Sequence, residues 1–398
     1  MAEGGMHSLK QALSALTAGV TPLEVERVAL ADTGGRVLAD TLVAHHDIPP
    51  FDNSAMDGYA LRAADAGRIL SVSQSVRAGQ APVPLEAGTC ARIFTGAPLP
   101  EGADSVVMQE RVEPGAGGVF VPTPLERGNN VRARGREIVT GATLIETGTR
   151  LDSAALGLLA SQGYTHVPVY RRPRVALLST GDELRMPGEP LAPGQIYNSN
   201  RFMLGDLLPR FGAELVLVEH VADTLKATLE ALGRAAAGAD VVVTSGGVSV
   251  GEADHVRHAL ERLGRLDLWR LAIRPGKPLA LGRIGQARFV GLAGNPVSSF
   301  VGAWLFLRPL LGALQGAPHM QTLESLTARA DFETATTGRT HYMRVTLSHG
   351  EGEYRAHAFP DQDSSILRSC VGADALAVVA PHTAVAPGDR ITCLRLLP

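Results

Sequence analysis

One stretch, residues 239–254, constrains the chain most; it reads ADVVVTSGGVSVGEAD. Its first five residues are predicted to form a buried strand, because a short apolar, β-branched run closed by glycines is typical of a strand covered on both faces. Gly246 and Gly247 follow in a loop with little side-chain bulk, and after Gly251 the apolar residues recur at helical spacing. Such a strand, loop and helix start can present backbone N–H groups to an anion such as phosphate. A tight turn that binds nothing would need the same glycines.

Several classes of protein are disfavoured by the sequence. No Lys-Ser or Lys-Thr pair follows the glycines and no spaced three-glycine fingerprint is present, so neither a P-loop nor a dinucleotide site is predicted. The net charge is −3 with acidic and basic residues mixed, which disfavours a nucleic-acid partner. The first twenty residues lack the apolar core of a signal peptide, and the most apolar stretch, 301–314, is interrupted by arginine and proline and is too short to span a bilayer. Three separated cysteines fit no metal-binding spacing and predict a reduced, cytoplasmic protein: Cys90, Cys370 and Cys393.

Beyond residue 174 the apolar pattern alternates between strand and helix. Predicted strands cover 175–179, 214–219, 241–244, 268–273 and 289–292, and predicted helices cover 199–211, 224–236, 253–263 and 297–314. Alternation of this kind predicts an α/β domain with a doubly wound, mostly parallel sheet and right-handed crossovers.

The remaining sequence predicts a multidomain α/β protein, with two smaller β-rich modules and a helical region beside that domain. Short β-like runs lie at 68–77, 89–95, 105–112 and 118–122, and again at 342–347, 354–359, 375–380 and 390–397. Helical spacing begins after Ser8, the predicted N-cap of a helix that ends at Gly19, and recurs at 151–162. Residues 30–42 fit either a helix or a strand, and 171–173 are predicted to be a linker.

The segments that follow the predicted strands share a polar composition. They cover 180–184, 220–224, 244–247, 274–278 and 293–298, and all are rich in glycine, charge or hydroxyl groups. Because ligands of parallel α/β sheets bind beyond the carboxyl ends of the strands, these segments are predicted to share one crevice. Arg274 and Lys277, held in a proline-stiffened loop, suit an oxyanion, although Arg274 could also be a surface charge. Asn295 and Pro296 fit an N-cap and first helical residue, which would leave Ser298 and Ser299 exposed at a helix start.

Four carboxylates are predicted to enter the same crevice, and each follows a predicted strand or loop: Asp182, Glu183, Asp223 and Asp254. Carboxylates beside a phosphate site indicate Mg²⁺, which bridges the two. Asp223 would equally serve as the N-cap of the helix at 224, and Asp254 would stabilise a helix dipole. From the residues alone we predict a site for a phosphorylated small molecule, a divalent cation and a further oxyanion, with phosphoryl or adenylyl chemistry.

Six motifs in order resemble those of the molybdopterin molybdenumtransferases, the MoeA proteins, which are similar to the E domain of gephyrin. They begin at Phe51 (FDNSAMDGYA), Phe94 (FTGAP), Ser179 (STGDEL), Thr244 (TSGGVSVGEAD), Arg274 (RPGKP) and Gly294 (GNPVS), so the resemblance covers nearly the whole chain. It implies that adenylylated molybdopterin and molybdate are converted to molybdenum cofactor and AMP with Mg²⁺.

The resemblance also implies roles for individual residues. It places catalytic function at Asp57, Glu183, Lys277 and Asp254, with Mg²⁺ held by Glu183, Asp223 and Asp254. It assigns molybdate to Arg274, Lys277, Arg344 and either Ser364 or Ser365. It assigns substrate binding to Thr95, Arg132, Asp182, Asp223, Thr244, Ser245, Gly246, Gly247, Asn295, Pro296 and Ser298.

The resemblance further implies an elongated homodimer in which the N-terminal β module of one subunit caps the α/β site of the other. The implied domains are a helical linker and dimerisation region (1–46 and 142–172), a β-rich module (47–141), a molybdopterin-binding α/β domain (173–317) and a C-terminal barrel-like domain (318–398). Implied partners are the molybdopterin adenylyltransferase and proteins that mature molybdoenzymes. Two alternatives stay open: a molybdopterin-binding scaffold without insertion activity, and a nucleotide phosphohydrolase on the same fold.

Overall fold

The computed structural model describes residues 6–248, 255–350 and 352–396, apart from the side chains of residues 268 and 269. The chain forms two compact units. The first contains residues 1–39, 148–152 and 167–398, and the second contains residues 40–147 and 153–166.

A six-stranded sheet lies at the centre of the first unit. Its strands are β1 (Arg174–Thr180), β2 (Glu214–Val221), β3 (Val241–Ser245), β4 (Gly264–Arg270), β5 (Pro278–Ile284) and β6 (Ala287–Leu292), in the order β2-β1-β3-β6-β5-β4. The pairs β1–β2, β1–β3 and β3–β6 are parallel, whereas β5 is antiparallel to both β6 and β4. The predicted strands at β1, β2, β3 and β6 are therefore confirmed.

The predicted strand at 268–273 is wrong in extent and direction. The observed strand β4 ends at Arg270 and runs antiparallel to β5, which the sequence pattern missed. The sequence of β5, PLALGRI, begins with proline and contains glycine, two residues that are depleted in strands. A tight turn at Gly285 joins β5 to β6 as a hairpin.

Both faces of the sheet are covered, as a doubly wound fold requires. Val175 and Leu177 of β1 pack in a cluster with helices Ser199–Arg210 and Pro296–Gly302. The alternate residues Ala176 and Leu178 pack in a second cluster with helices Leu225–Gly238 and His255–Leu263. This burial on both sides explains the continuous apolar runs from which the strands were predicted.

The helical run Pro296–Leu314 is continuous, which confirms the helix predicted at 297–314. It consists of helix Pro296–Gly302, a π-helical turn at Ala303–Leu307 and helix Arg308–Leu314. Pro309 cannot donate a backbone hydrogen bond, and the wider turn lies where that donor is missing. Within the described part of the chain it is the one helix long and apolar enough to cross a membrane, but 89% of its apolar window is buried inside the protein, as in a core helix.

A closed barrel follows the central sheet. Its strands are Ser325–Ala330, Thr340–Gly350, Glu353–Ala358, Ala375–Val379 and Arg390–Arg395, and pairing of Thr340–Gly350 with Ala375–Val379 closes the ring. The four predicted C-terminal strands are confirmed, and Ser325–Ala330 was missed. A sixth strand, Ile273–Arg274, leaves the central domain and pairs with Thr340–His341 at the edge of the barrel.

The second unit contains the other β-rich sheet. Its strands, in spatial order, are Ser105–Met108, Gly58–Leu61, Thr89–Ile93, Ile69–Val76, Gly118–Phe120 and Glu113–Gly115. The helix predicted at 151–162 is confirmed as Ser153–Ser161, and it belongs to this unit rather than to the unit that contains residues 1–39.

Helix Leu9–Thr17 begins after Ser8, which forms a capping box with Gln11, so the predicted N-cap is confirmed. Residues 30–42 form a short 3-10 helix, Leu30–Asp32, and loop rather than a long helix or strand. The predicted linker at 171–173 connects strands His166–Tyr170 and Arg174–Thr180, and it is anchored because the Arg171 guanidinium pairs with Asp240 at 2.7 Å and with Glu24 at 2.5 Å. The predicted helical region also contains a strand pair, Val25–Ala29 with His166–Tyr170.

Candidate active site

A cavity of about 880 Å³ lies at the edge of the central sheet where β1, β3 and β6 end. Its walls come from the segments after these strands, from the loop that enters β5, and from a barrel segment at 362–365. The polar segments predicted to share a crevice are therefore brought together. The loop at 274–278 was expected to follow a parallel strand. It instead precedes β5, an antiparallel strand whose amino end lies at the same edge of the sheet.

Carboxylates lie at the β1–β2 side of this cavity. Glu183 and Asp223 line it, whereas Asp182 does not. Asp182 Oδ1 accepts a 3.2 Å hydrogen bond from the Asp223 N–H, so it shapes the turn beside the cavity. The N-cap of the following helix is Thr224, whose hydroxyl accepts from the Ala227 N–H. Asp223 is therefore not the N-cap, and its carboxylate does not cap the helix.

The glycine loop forms the middle of the cavity. Gly246 and Gly247 have φ of +94° and +68°, a region in which side chains with a Cβ are strained. Ser245, Gly246 and Gly247 line the cavity, but Thr244 is buried in β3 and does not. The Gly246 N–H donates to Leu292 O at 3.1 Å, so it is not free for an anion as predicted, whereas the described residues supply no acceptor for the Gly247 N–H.

Asn200 was missed by the sequence analysis. Its Nδ2 donates to Ser245 Oγ at 2.8 Å and to Gly294 O at 2.7 Å, which ties the segment after β3 to the segment after β6. Its Oδ1 is buried without a partner. The pattern Asn-Ser-Asn at a helix start was the available sign, and Asn198, its first residue, is the N-cap.

The helix that begins at Pro296 forms the next part of the wall. Asn295 occupies the predicted N-cap position, yet its side chain makes no capping bond; its Nδ2 donates to Ser364 Oγ at 2.9 Å instead. Asn295, Pro296 and Ser298 line the cavity. The expectation that Ser298 and Ser299 are exposed is wrong, since both are buried and the Ser299 hydroxyl donates to Ala293 O.

Cations gather at the β5 and barrel side. Arg274 and Lys277 line the cavity and are exposed, and neither makes a side-chain hydrogen bond or ion pair with the described residues. Arg339, which the sequence analysis missed, also lines it. Burial, followed by the charges of Arg274, Arg344 and Arg339, lowers the pKa of the nearby buried His341 to about 4, so this imidazole is neutral at pH 7.

Arg344 does not line the cavity, contrary to its assignment as a molybdate ligand. It is 0% exposed, and its guanidinium donates to Ser369 Oγ at 2.9 Å, Gln362 O at 3.2 Å and Asp363 O at 3.1 Å. Arg344 therefore holds the segment at 362–365 from behind the wall.

Ser364 and Ser365 both line the cavity, but their hydroxyls make different hydrogen bonds. The Ser365 hydroxyl donates to Asp363 Oδ1 at 2.7 Å, and the hydrogen bonds from Ser365 hold the pKa of that carboxyl below its usual range. Ser364 Oγ accepts from Asn295, which leaves its own hydrogen available to a ligand. The geometry thus favours Ser364 over Ser365 as a donor.

Three predicted site residues belong to the second unit. Asp57 Oδ1 accepts from the Thr95 N–H at 2.7 Å and the Thr95 hydroxyl at 2.8 Å, and these bonds hold the pKa of Asp57 below its usual range. Arg132 is exposed in a short strand, Val131–Arg132, that pairs with Asn53–Ser54.

Asp254 lies outside the described residues, so the predicted third carboxylate of the metal set is not placed. Among the residues whose positions are described, no group of three or more His, Cys, Asp or Glu side chains could hold a metal ion. Glu183 and Asp223 nonetheless supply oxygen ligands of the kind Mg²⁺ prefers, and Mg²⁺ is commonly held by one or two carboxylates together with substrate phosphates. Burial raises the pKa of all three cysteine thiols to about 11, which makes them poor nucleophiles: Cys90, Cys370 and Cys393.

Family models match three parts of the chain. Residues 7–163 match the MoeA N-terminal region (domain I and II), residues 176–313 a probable molybdopterin binding domain, and residues 327–396 the MoeA C-terminal region (domain IV).

Curated proteins and a solved structure are similar over most of the chain. The molybdopterin molybdenumtransferase of Haemophilus influenzae is 34% identical over 383 residues, covering 93% of this chain and 94% of that protein. The molybdopterin molybdenumtransferase of Synechococcus elongatus is 40% identical over 366 residues, covering 88% and 89%. The crystal structure of a molybdopterin biosynthesis MoeA protein from Pyrococcus horikoshii superposes with a TM-score of 0.83 at 31% identity, covering 99% of this chain and 100% of that one.

Proposed function

The chain belongs to the molybdopterin molybdenumtransferase (MoeA) family, and from this membership we propose how its cavity works in molybdenum cofactor biosynthesis. Molybdenum from molybdate is inserted into the dithiolene of adenylylated molybdopterin, and the anhydride bond to AMP is hydrolysed. The dithiolene sulfurs belong to the substrate, which agrees with the absence of any reactive thiol among the three cysteines of the sequence.

The observation that carries the proposal is the division of charge within one cavity. Glu183 and Asp223 lie on the β1–β2 side, and the cations Arg274, Lys277 and Arg339 lie on the β5 side, where they outnumber one carboxylate, Asp363, that accepts a hydrogen bond from Ser365. Three strand steps separate β1 from β5, which at ~4.8 Å per step is roughly 14 Å. Two anions can therefore be held apart. The cationic side suits molybdate, a dianion, and the glycine loop between the sides suits the pterin phosphate.

Within this scheme each group has a role. Arg274 and Lys277 bind molybdate oxygens, Ser364 donates a further hydrogen bond, and Arg344 positions the segment that carries Ser364. Glu183 and Asp223 hold Mg²⁺, joined by Asp254 in the family pattern, and Mg²⁺ when bound neutralises phosphate charge. Asn295, Ser298 and the glycine loop enclose the substrate.

We also propose that the protein is a cytoplasmic homodimer. Asp57, Thr95 and Arg132 would then complete the site of the partner subunit, and the exposed, hydrogen-bonded Asp57–Thr95 pair is suitably accessible for that role. The adenylyltransferase that makes the substrate and proteins that receive the product would be its partners.

The test is molybdate-dependent release of AMP. Purified protein is incubated with adenylylated molybdopterin and Mg²⁺, with and without molybdate, and AMP is measured. We expect release only when molybdate is present, and its loss in a Lys277→Ala variant. Tight pterin binding without release would favour a scaffold, and faster turnover of ATP than of adenylylated molybdopterin would favour a phosphohydrolase.

A further inference from the structure

Unpartnered polar atoms cluster at the cavity edge of the central sheet. The described residues contain eight buried side-chain oxygen or nitrogen atoms without a hydrogen-bond partner, and half of them lie here: Ser179 Oγ, Thr180 Oγ1, Asn200 Oδ1 and Thr244 Oγ1. Such atoms are rare in native proteins because burying them without a partner is unfavourable. For those of the four that line the cavity, a polar ligand can complete the hydrogen bonding.

Thr180 stands out among the four. It is the last residue of β1, it is 7% exposed, and it lines the cavity, whereas Ser179 and Thr244 do not. Successive residues of a strand alternate between its two faces, so Ser179 and Thr180 serve different sides of the sheet. The Thr180 hydroxyl is thus a buried donor that adjoins the cavity.

The hydroxyl also lies against the glycine loop. A Cβ built on Gly246 would be 3.0 Å from Thr180 Oγ1, and one built on Gly247 would be 2.9 Å away. The glycines let the loop come close to the hydroxyl, and the unengaged Gly247 N–H lies in the same place. A rotating hydroxyl and a backbone N–H side by side suit an anionic oxygen.

We propose that the Thr180 hydroxyl binds the phosphate of the pterin substrate, donating its O–H to an oxygen held at the Gly246–Gly247 loop. This assignment rests on the proposed function and adds one hydrogen-bond donor to the part of the cavity that binds the pterin phosphate. Because β1 lies three strand steps from β5, Thr180 is remote from Arg274 and Lys277. Thr180 therefore serves pterin affinity and not molybdate affinity.

The experiment compares Thr180→Val, which is nearly isosteric but lacks the hydroxyl, with Thr180→Ser, which keeps it. Ser179→Ala is the matched control, because it removes an unpartnered hydroxyl that lies outside the cavity. Dissociation constants are measured by titration calorimetry for molybdopterin and for its dephosphorylated form. Hydrogen bonds to charged groups predict that Thr180→Val weakens binding of the phosphorylated pterin by about 10- to 100-fold. Binding of the dephosphorylated pterin should not change, and the serine variant and the control should resemble wild type.

Two further readouts separate this role from a structural one. Without ligand, Thr180→Val should unfold at the same temperature as wild type or a higher one, because an apolar group replaces an unpartnered hydroxyl. The molybdate concentration giving half-maximal AMP release should not move.

Equal weakening for both forms of the pterin, unchanged affinity in Thr180→Val, or equal damage in Thr180→Ser would overturn the proposal. Because dissociation constants need no turnover, an absence of AMP release from wild type would count against the proposed function alone.

Discussion

Replacing Arg344 with methionine tests whether a fully buried cation supports the cavity wall from behind. Arg344 makes three side-chain hydrogen bonds, and hydrogen bonds from a charged donor contribute roughly 1.5–3 kcal/mol each. Against this stands the dehydration of the guanidinium, a penalty of several kcal/mol. Burial indeed lowers the pKa of Arg344 from its ordinary value. The difference predicts that the free energy of unfolding falls by about 2–4 kcal/mol in the methionine variant, because the methionine side chain fills most of the volume of the arginine but makes none of its hydrogen bonds.

The loss should be local to the segment at 362–365. Gln362 and Asp363 would lose the donors to their carbonyl groups, and Ser364 would lose its fixed position. We expect the molybdate concentration for half-maximal AMP release to rise about tenfold or more, since 1.4 kcal/mol corresponds to a factor of ten. Pterin affinity should change little. Arg344→Lys should be impaired as well, because an ammonium cannot span three acceptors in the way a guanidinium does.

Arg329→Met provides the control for this experiment. Arg329 lies in the same barrel and makes an exposed ion pair with Glu353, a kind of pair that contributes at most about 1 kcal/mol. Its replacement should leave the molybdate dependence unchanged. If Arg344→Met folds and keeps the wild-type molybdate dependence, the wall does not depend on Arg344 and the reasoning is refuted.

Three other predictions follow from the contacts. Asp57→Ala and Lys277→Ala homodimers should each be inactive alone. After subunit exchange the mixture should regain about a quarter of wild-type AMP release, because half of the dimers then contain one intact composite site out of two. No recovery would mean that the two subunits do not share a site. Asp240→Asn should lower the free energy of unfolding by about 2–3 kcal/mol at pH 7. Burial alone would raise the pKa of Asp240, but bonds from Arg171 and the Arg174 N–H lower it, so the stabilisation is complete above the ordinary aspartate pKa of about 3.9 and is lost as pH falls through the folded-state pKa. In urea unfolding, the difference in stability between wild type and variant should therefore be smaller at pH 3 than at pH 7. Asn200→Leu should lower stability by about 1–3 kcal/mol through its two lost hydrogen bonds, and an unchanged melting temperature would contradict that role.

The sequence pattern predicted the parallel strands well because their burial on both faces leaves an uninterrupted apolar, β-branched run. Val241, Val242 and Val243 are all fully buried. The hairpin strand β5 was not predicted, because its proline and glycine are typical of loops. These residues form a strand only through pairing with β6. The loop at 274–278 was nevertheless predicted correctly to line the cavity, since an antiparallel strand begins at the sheet edge where its parallel neighbours end.

Arg344 shows why a motif position does not reveal what a side chain touches. The barrel strand Thr340–Gly350 alternates, so Arg344 shares a face with Tyr342, and Met343 shares the other with Val345. Tyr342 packs in the core of the central domain and Met343 in the core of the barrel. An arginine on such a doubly buried strand lies behind the cavity surface, and local sequence cannot show that the segment at 362–365 covers it.

The acidic side of the cavity carries a consequence for metal dependence. Glu183 and Asp223 would repel the phosphates of an adenylylated pterin if no cation lay between them, whereas the cations on the β5 side lie roughly 14 Å away. Mg²⁺ should therefore strengthen binding of adenylylated molybdopterin far more than binding of molybdate. Calorimetric titrations with Mg²⁺ and with EDTA measure this directly, and Asp223→Asn should reduce the difference between the two conditions. Equal strengthening of both ligands by Mg²⁺ would mean that the cation acts elsewhere, and the division of the cavity into an acidic and a cationic side would not explain how it holds two anions.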